Sequence, residues 1–484
     1  MGTPADQDAA FLRKAARAIQ RVLDQPEDEP EETVRSLLRA HLGTEELLPV
    51  FTEELGAWEL ANVQLALDAL LARPGWDGRV LGVGGHARHF SSVNLGDFLS
   101  DAPYAVGPTE YVNVAIGPDE TLPCLEFAVV LVSRPEGPLG LFVHRGSEHT
   151  GSAGVVVQAV AAEAGTARAF LADLRAEMDR LDVHRGKVIT VGQTPHGGAQ
   201  LEFLERPSMD AGELVLPDGV LDRIERHVLG PTRHRDVLLA GGRHLGRGLL
   251  LWGPPGTGKT HTVRYLMGRL TDATVIVLSG GSLYGVGAFG SLARRLAPSV
   301  VVLEDVDLVA EERSFDMFGG GGGPVLFELM NEMSGIGQDA DVAFVLTTNR
   351  PDVLEPALAM RPGRIDLAIE IPLPDDAARV RLLDLYARGL DARIDDPGTI
   401  VARTAGMTAS FFKELLRAAA LTAAEDGRAW VTDADVAVAL DELLSQGAAL
   451  TRVLLGARRE EGEGDDVPEH LGWLTERQEP ERPE

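Results

Sequence analysis

The sequence predicts an α/β protein: a helical N-terminal stretch, a mixed α/β segment, and a C-terminal half built as a parallel sheet with helices on both faces. Three observations predict it. Apolar spacing changes from three and four residues to two near residue 78. From about residue 208, apolar strands alternate with helices. The run LLLWGPPGTGKTHTVRYL, within that second half, reads as strand, glycine-rich turn and helix.

Residues 1–77 form the first segment, read as helical from AAFLRKAARAIQRVL, TVRSLLRAHL and ELANVQLALDALLA, each with apolar residues three and four apart. Residues 78–207 form an α/β domain. There LEFAVVLVS and GPLGLFVHRG flank a Pro/Gly turn and predict a hairpin. A helix is predicted from Gly165 to Leu181, with Ala167, Phe170, Leu171, Leu174, Met178 and Leu181 on one face, and then the strand KVITVG. Residues 208–374 carry the sheet and 375–450 a helical lid. Residues 451–484 read as a disordered acidic tail: from Glu460 onward ten acidic side chains face two basic ones. The HLGWL island around Trp473 reads equally as a docking motif or as loose tail.

Composition narrows the function. The 484 residues exceed one ordinary core, since domains run to roughly 100–200 residues. A formal charge of −29, from 74 acidic and 45 basic residues, opposes phosphate-backbone binding and argues against nucleic acid as a partner. No basic-then-apolar leader opens the chain, and no apolar run approaches the ~20 residues a bilayer helix needs, so no membrane role is expected. The single cysteine, Cys124, lies in the apolar TLPCLEF and reads as a buried thiol in a reducing cytoplasm. His86, His89, His144, His149, His184 and His196 lack metal-ligand spacing.

The chemistry concentrates after residue 250. Gly253, Gly258, Lys259 and Thr260 complete the phosphate-loop pattern. Its glycines let backbone N–H groups turn inward around phosphate oxygens, Lys259 adds a point charge, and the Thr260 hydroxyl reaches magnesium. PSVVVLEDVDL, read as the neighbouring strand, ends in Glu304 and Asp305, placed to face the same phosphates. The strand in DVAFVLTTNRPD delivers Asn349, an amide able to orient a water, and ALAMRPGRID presents Arg361 and Arg364.

On these residues, 208 to about 450 resemble the AAA family of ATPases, in the branch with a second region of homology. The resemblance implies that Gly253, Pro254, Pro255, Gly256, Thr257, Gly258, Lys259 and Thr260 are Walker A, with His261 beside them in the nucleotide site. It makes Glu304 and Asp305 Walker B, Asn349 sensor 1, and Arg361 and Arg364 arginine fingers that reach a neighbouring subunit. ATP and Mg2+, the latter held by Thr260, Glu304 and Asp305, are the implied ligands, and a homo-oligomeric ring, commonly a hexamer, the implied assembly. RTAGMTASFFKELLRAAALTAA resembles the family's lid segment, with Phe411 in place of its acidic residue. Tyr386 stands where many relatives carry an adenine-side histidine. LYGVGA resembles the pore loop with which AAA unfoldases grip polypeptide, making Leu283, Tyr284 and Gly285 gripping candidates; a glycine-rich surface turn is the other reading. Gly319 to Gly323 fall near a second pore-facing loop.

The family's usual order is Asp-Glu, with the first acid on magnesium and the second on the attacking water. Position by position, Glu304 takes the metal and Asp305 the base role, but the shorter Asp305 leaves exchanged roles open. The mitochondrial AAA branch that translocates the folded Rieske protein resembles this chain here. The resemblance implies an ATP-hydrolysing mechanoenzyme that remodels, unfolds or disassembles proteins, recruiting substrate or adaptor through the N-terminal domain. The rival is a nucleotide-gated assembly switch or scaffold with slow turnover.

Overall fold

The computed structural model describes residues 32–46, 48–84, 93–100, 104–146, 154–193, 199–279, 286–307, 340–352 and 365–445. The chain divides into two compact units, Met1–Leu204 and Glu205–Glu484. The expected first helix, the acidic tail with Trp473, and the five-glycine run lie outside the described residues. So do His86, His89, His149 and His196.

In the first unit, helix α1 (Val34–Leu42) buries Val34, Leu38 and Leu42, which fall four residues apart on one face. Thr33 and Ser36 close a capping box at its start, and Gly43, at φ +68°, ends it in the left-handed conformation that glycine enters without a Cβ penalty. Strand β1 (Phe51–Leu55) follows, then α2 (Leu60–Leu71), β2 (Asp77–Val83), α3 (Leu95–Leu99), β3 (Val106–Gly107) and the pair β4 (Tyr111–Ala115) and β5 (Thr121–Leu125). Strands β6 (Phe127–Ser133), β7 (Leu139–Arg145) and β8 (Val155–Ala161) precede α4 (Ala164–Arg180), and β9 (Val188–Gln193) pairs antiparallel with β10 (Ala199–Leu204).

The main sheet runs β1-β8-β7-β6-β2-β3, antiparallel throughout. Its central strands are apolar on both faces because both are covered. Ala128, Val130 and Val132 of β6 pack with α2 and α4. The alternate Val129 and Leu131 pack with α1 and α3. The first 77 residues thus contribute a strand as well as helices. FTEEL has a period-two pattern of five residues set between two helical stretches, and its partner β8 lies about a hundred positions away. Cys124 is fully buried in this unit, and burial, then nearby Asp68, pushes its thiol up to about 11.

In the second unit, β11 (Arg247–Trp252), α5 (Lys259–Arg269), β12 (Thr274–Ser279), β13 (Ser299–Glu304), β14 (Val342–Thr348) and β15 (Leu367–Glu370) build the nucleotide-site half. The strands lie parallel in the order β12-β13-β14-β11-β15. Arg206 donates to the carbonyls of Met267, Leu270 and Ala273, satisfying acceptors at and beyond the end of α5. At the start of β11, buried Arg247 pairs with buried Asp341 at 2.7 Å and ties the N-terminal ends of β11 and β14 together.

The lid comprises α6 (Asp376–Ala387), α7 (Pro397–Arg403), α8 (Ala409–Glu425) and α9 (Asp433–Leu444), with the short parallel pair β16 (Asp391–Arg393) and β17 (Trp430–Thr432). Phe411, Phe412, Leu415 and Leu416 of α8 sit at its centre. Asp435 anchors the last helix: it is buried, accepts from the Thr432 amide at 2.8 Å and hydroxyl at 2.7 Å, and accepts from Arg428. The Arg428 guanidinium and then the Thr432 bonds hold its carboxyl well below the usual carboxylate range. A depressed carboxylate adds stability that is present above the ordinary pKa of about 4 and lost as pH falls through the folded value. Asp435→Ala is therefore expected to lower stability by about 1–3 kcal/mol at neutral pH, from the lost cap and buried pair. Below pH ~4 the gap between variant and wild type should narrow. Denaturant unfolding at pH 7 and pH 3 checks this; an equal gap at both pH values refutes the assignment.

Candidate active site

The site forms at the C-terminal ends of parallel strands, where chain leaving each strand turns over the sheet edge. Trp252 closes β11 opposite Thr348 of β14, and Ser279 closes β12 opposite Glu304 of β13. Walker A therefore begins where two acids and a polar strand end already lie side by side.

The loop is shaped by glycine. Gly253 has φ +146°, and a Cβ there would stand 2.2 Å from the Ile371 carbonyl oxygen. Gly256, at φ +75°, touches the lid: the Ser410 amide donates to its carbonyl at 3.1 Å, and an added Cβ would approach the Ser410 and Thr408 hydroxyls. Helix α5 starts after Gly258, at φ +111°, so its unpaired first amides open on the loop. Thr257 is buried and donates to the Pro254 carbonyl at 2.9 Å. Pro255 and Thr260 are exposed.

Lys259 is buried, and its ammonium donates to the Gly253 and Pro254 carbonyls at 2.8 and 2.9 Å. Burial lowers its pKa to about 8, against the pull of Asp305 and Asp307. These carbonyl bonds hold the lysine at the mouth of the loop, where phosphate oxygens are stronger acceptors.

The acids occupy different surroundings. The Thr260 hydroxyl lies beside the Glu304 carboxyl and favours its charged form, while Glu304 Oε1 is buried with no hydrogen-bond partner. Burial first, then repulsion from Asp305, raises its pKa. Asp305 instead accepts from Asn349 Nδ2 at 3.3 Å, and its own amide donates to Thr347 Oγ1 at 3.0 Å. It has φ +49°, left-handed backbone that disfavours most side chains and is least costly for Asp and Asn among residues with a Cβ.

An orphaned carboxylate oxygen beside a threonine hydroxyl, in front of a glycine-lined loop, fits a magnesium–phosphate pair. Thr260 and Glu304 supply the hard oxygen donors such an ion needs.

Of the remaining sequence-derived residues, His261 is half-buried, its pKa lowered by burial and by Arg264 and Lys413. Tyr386 is half-buried against the lid core, and burial raises its pKa. Arg361, Arg364 and the Leu283–Tyr284–Gly285 loop lie outside the described residues.

The structure adds residues that sequence reasoning passed over. Asp307 is buried and accepts from the Thr348 hydroxyl at 2.8 Å and the Asn349 amide at 3.2 Å. The signal was present in VVLEDVDL as a third acid two positions past Asp305. What gives it meaning is the pairing of β13 with β14, which the sequence order alone does not show. The Thr408 and Ser410 contacts with Gly256 likewise depend on how the lid folds back.

A parallel sheet with a phosphate loop and acids at its C-terminal edge defines the phosphate-loop nucleotide-hydrolysing class. Residues 249–373 match the ATPase family associated with various cellular activities (AAA). The chain is 30% identical over 272 residues to the proteasome-activating nucleotidase of Thermococcus onnurineus, covering 53% of this chain and 68% of that protein. It is 33% identical over 274 residues to the ATP-dependent zinc metalloprotease FtsH 2 of Symbiobacterium thermophilum, covering 54% and 45%. With FtsH of Thermus thermophilus it shares 35% over 246 residues, covering 48% and 38%. The chain belongs to the AAA family and is an ATPase.

Proposed function

We propose that this ATPase couples hydrolysis to the remodelling of protein substrates, working as a homo-oligomeric ring, a hexamer by family habit, with the N-terminal unit receiving substrate or adaptor. The observation that carries catalytic competence is the Asn349 amide bonded to Asp305 beside Lys259. A nucleotide-gated switch has no use for a carboxylate held by an amide at the phosphate end of the sheet. Similarity to a proteasome-activating nucleotidase and to FtsH proteases supports work on polypeptides. The single buried thiol suits a reducing cytoplasm. Among the described residues no helix is long and apolar enough to cross a membrane.

The different surroundings of the acids support distinct roles: Thr260 and Glu304 would hold magnesium, and Asp305 would serve as the base. Magnesium, when bound, neutralises phosphate charge and so lowers the cost of charge build-up during transfer. Lys259 exchanges the Gly253 and Pro254 carbonyls for phosphate oxygens. Asn349 orients the attacking water, and Asp305 accepts its proton as the new bond to the γ-phosphorus forms and the bond to the bridging oxygen breaks. Arg361 and Arg364 complete the site of the neighbouring subunit, and Tyr284 grips the polypeptide.

Unfolding of a fluorescent substrate protein, measured beside ATP turnover, tests the reading. Tyr284→Ala is expected to keep ATP turnover and lose unfolding. Unfolding unaffected by this change, or absent from the wild-type ring while turnover proceeds, favours the assembly switch.

A further inference from the structure

Four hydrogen bonds join the segment after β13 to the end of β14. Asp305 N–H donates to Thr347 Oγ1 at 3.0 Å, Asn349 Nδ2 donates to Asp305 Oδ1 at 3.3 Å, and Asp307 Oδ1 takes both the Thr348 hydroxyl and the Asn349 amide. Asp307 is the hub of this lacing. It is 5% exposed, and Thr348, whose hydroxyl is committed to it, is fully buried. The same hydroxyl oxygen accepts from the Arg350 amide at 3.0 Å, so its proton points one way, toward Asp307.

We propose that Asp307 is a positioning residue for ATP hydrolysis: by holding the Thr348 hydroxyl and the Asn349 backbone it fixes the Asn349 side chain, and through it the Asp305 carboxylate, in line for the attacking water. Asp307 is not itself the base. Its Oδ1 already accepts two hydrogen bonds, and it is buried beneath the strand ends, whereas Asp305 is half-exposed. The physical logic is the fixing of a rotamer and a backbone at once. Asn349 follows the last residue of β14, where strand pairing no longer holds the chain, so its amide needs another acceptor. A carboxylate receiving an N–H and an O–H supplies one fixed point from the neighbouring strand's exit. Loss of about an ångström of registration at such a place costs on the order of a hundredfold in rate.

The proposal rests on the reading of Asn349 and Asp305 as the water-orienting pair, and the experiment separates the two. Steady-state phosphate release and nucleotide affinity are measured on the full chain with ATP and magnesium for Asn349→Ala, Asp307→Ala, Asp307→Asn, Thr348→Val and the Asp307→Ala/Asn349→Ala pair. The expected result is that Asp307→Ala lowers kcat about 10- to 100-fold with nucleotide affinity unchanged. Asp307→Asn, whose Oδ1 accepts the same two bonds, should recover turnover close to wild type. In the Asn349→Ala background, Asp307→Ala should cost nothing further, because the group it positions is gone.

Full additivity in the double variant, loss of affinity in place of turnover, or an Asp307→Asn variant as slow as Asp307→Ala overturns the proposal. Should Asp307→Ala fail to fold, Thr348→Val removes one of the two bonds without unpairing a charge and must lower kcat without lowering affinity. If Asn349→Ala itself hydrolyses ATP normally, the water-orienting reading falls and this proposal falls with it. If Asn349→Ala is slow while Asp307→Ala is not, only this proposal falls.

Discussion

Asp305→Asn is expected to bind ATP about as well as wild type and to release phosphate at least a hundredfold more slowly, whereas Glu304→Gln should lose magnesium-dependent nucleotide affinity. The difference follows from what each carboxylate touches. Asp305 bonds the Asn349 amide and lies near Lys259, so its removal takes away the proton acceptor while the loop and Glu304 remain. Loss of a positioned base costs on the order of 10²- to 10⁴-fold. Glu304 lies beside the Thr260 hydroxyl and keeps its Oε1 unpartnered. Neutralising it removes a hard anionic donor from the proposed magnesium position, and nucleotide affinity measured with and without magnesium should converge. The exchanged assignment predicts the mirror image: Glu304→Gln bound but inert, Asp305→Asn weakly bound. Nucleotide titrations beside single-turnover hydrolysis distinguish the two patterns.

Lys259→Ala should abolish measurable turnover and sharply weaken nucleotide binding, because the lysine is the cation that burial brings to the loop. Removing one buried, preorganised charge-stabilising donor costs on the order of 10²- to 10³-fold in rate, and loss of ground-state phosphate contact adds to that. Its ionisation gives the wild type a pH signature. With a pKa of about 8 in the free protein, the ammonium is charged below that value and neutral above it. Phosphate favours the charged form, so binding above pH ~8 must take up a proton. Affinity should fall by at most about tenfold per pH unit there and be insensitive to this group below. Affinity constant from pH 7 to pH 10 overturns the assignment. Lys259→Arg, which stays charged, should flatten the profile even where it binds weakly.

How much of this was legible in the letters depends on distance along the chain. The phosphate loop was readable because its chemistry is local: eight consecutive residues, with Gly253 and Gly256 demanded by positive φ and by close approach. The hairpin of β6 and β7 was readable for the same reason, a turn between two apolar runs. Strand β1 was not, because five alternating residues between helical patterns gain meaning only through β8, far along the sequence. Asp307 was visible but mute, since its partners Thr348 and Asn349 lie some forty residues on and meet it only through the pairing of β13 with β14. The sequence singles out Asn349 but not the acid that accepts its backbone N–H.

The left-handed backbone at Asp305 makes the order of the two acids a matter of torsion as well as charge. In the inverted spelling the shorter acid falls on the twisted residue, and a side chain with one fewer methylene suits that bend better than glutamate does. The longer acid then falls on the last residue of β13, beside the Thr260 hydroxyl. Two letters that look transposed are thus each matched to the geometry of their own peptide. Restoring the common spelling by a double exchange would alter backbone preference at both positions while leaving the net charge untouched.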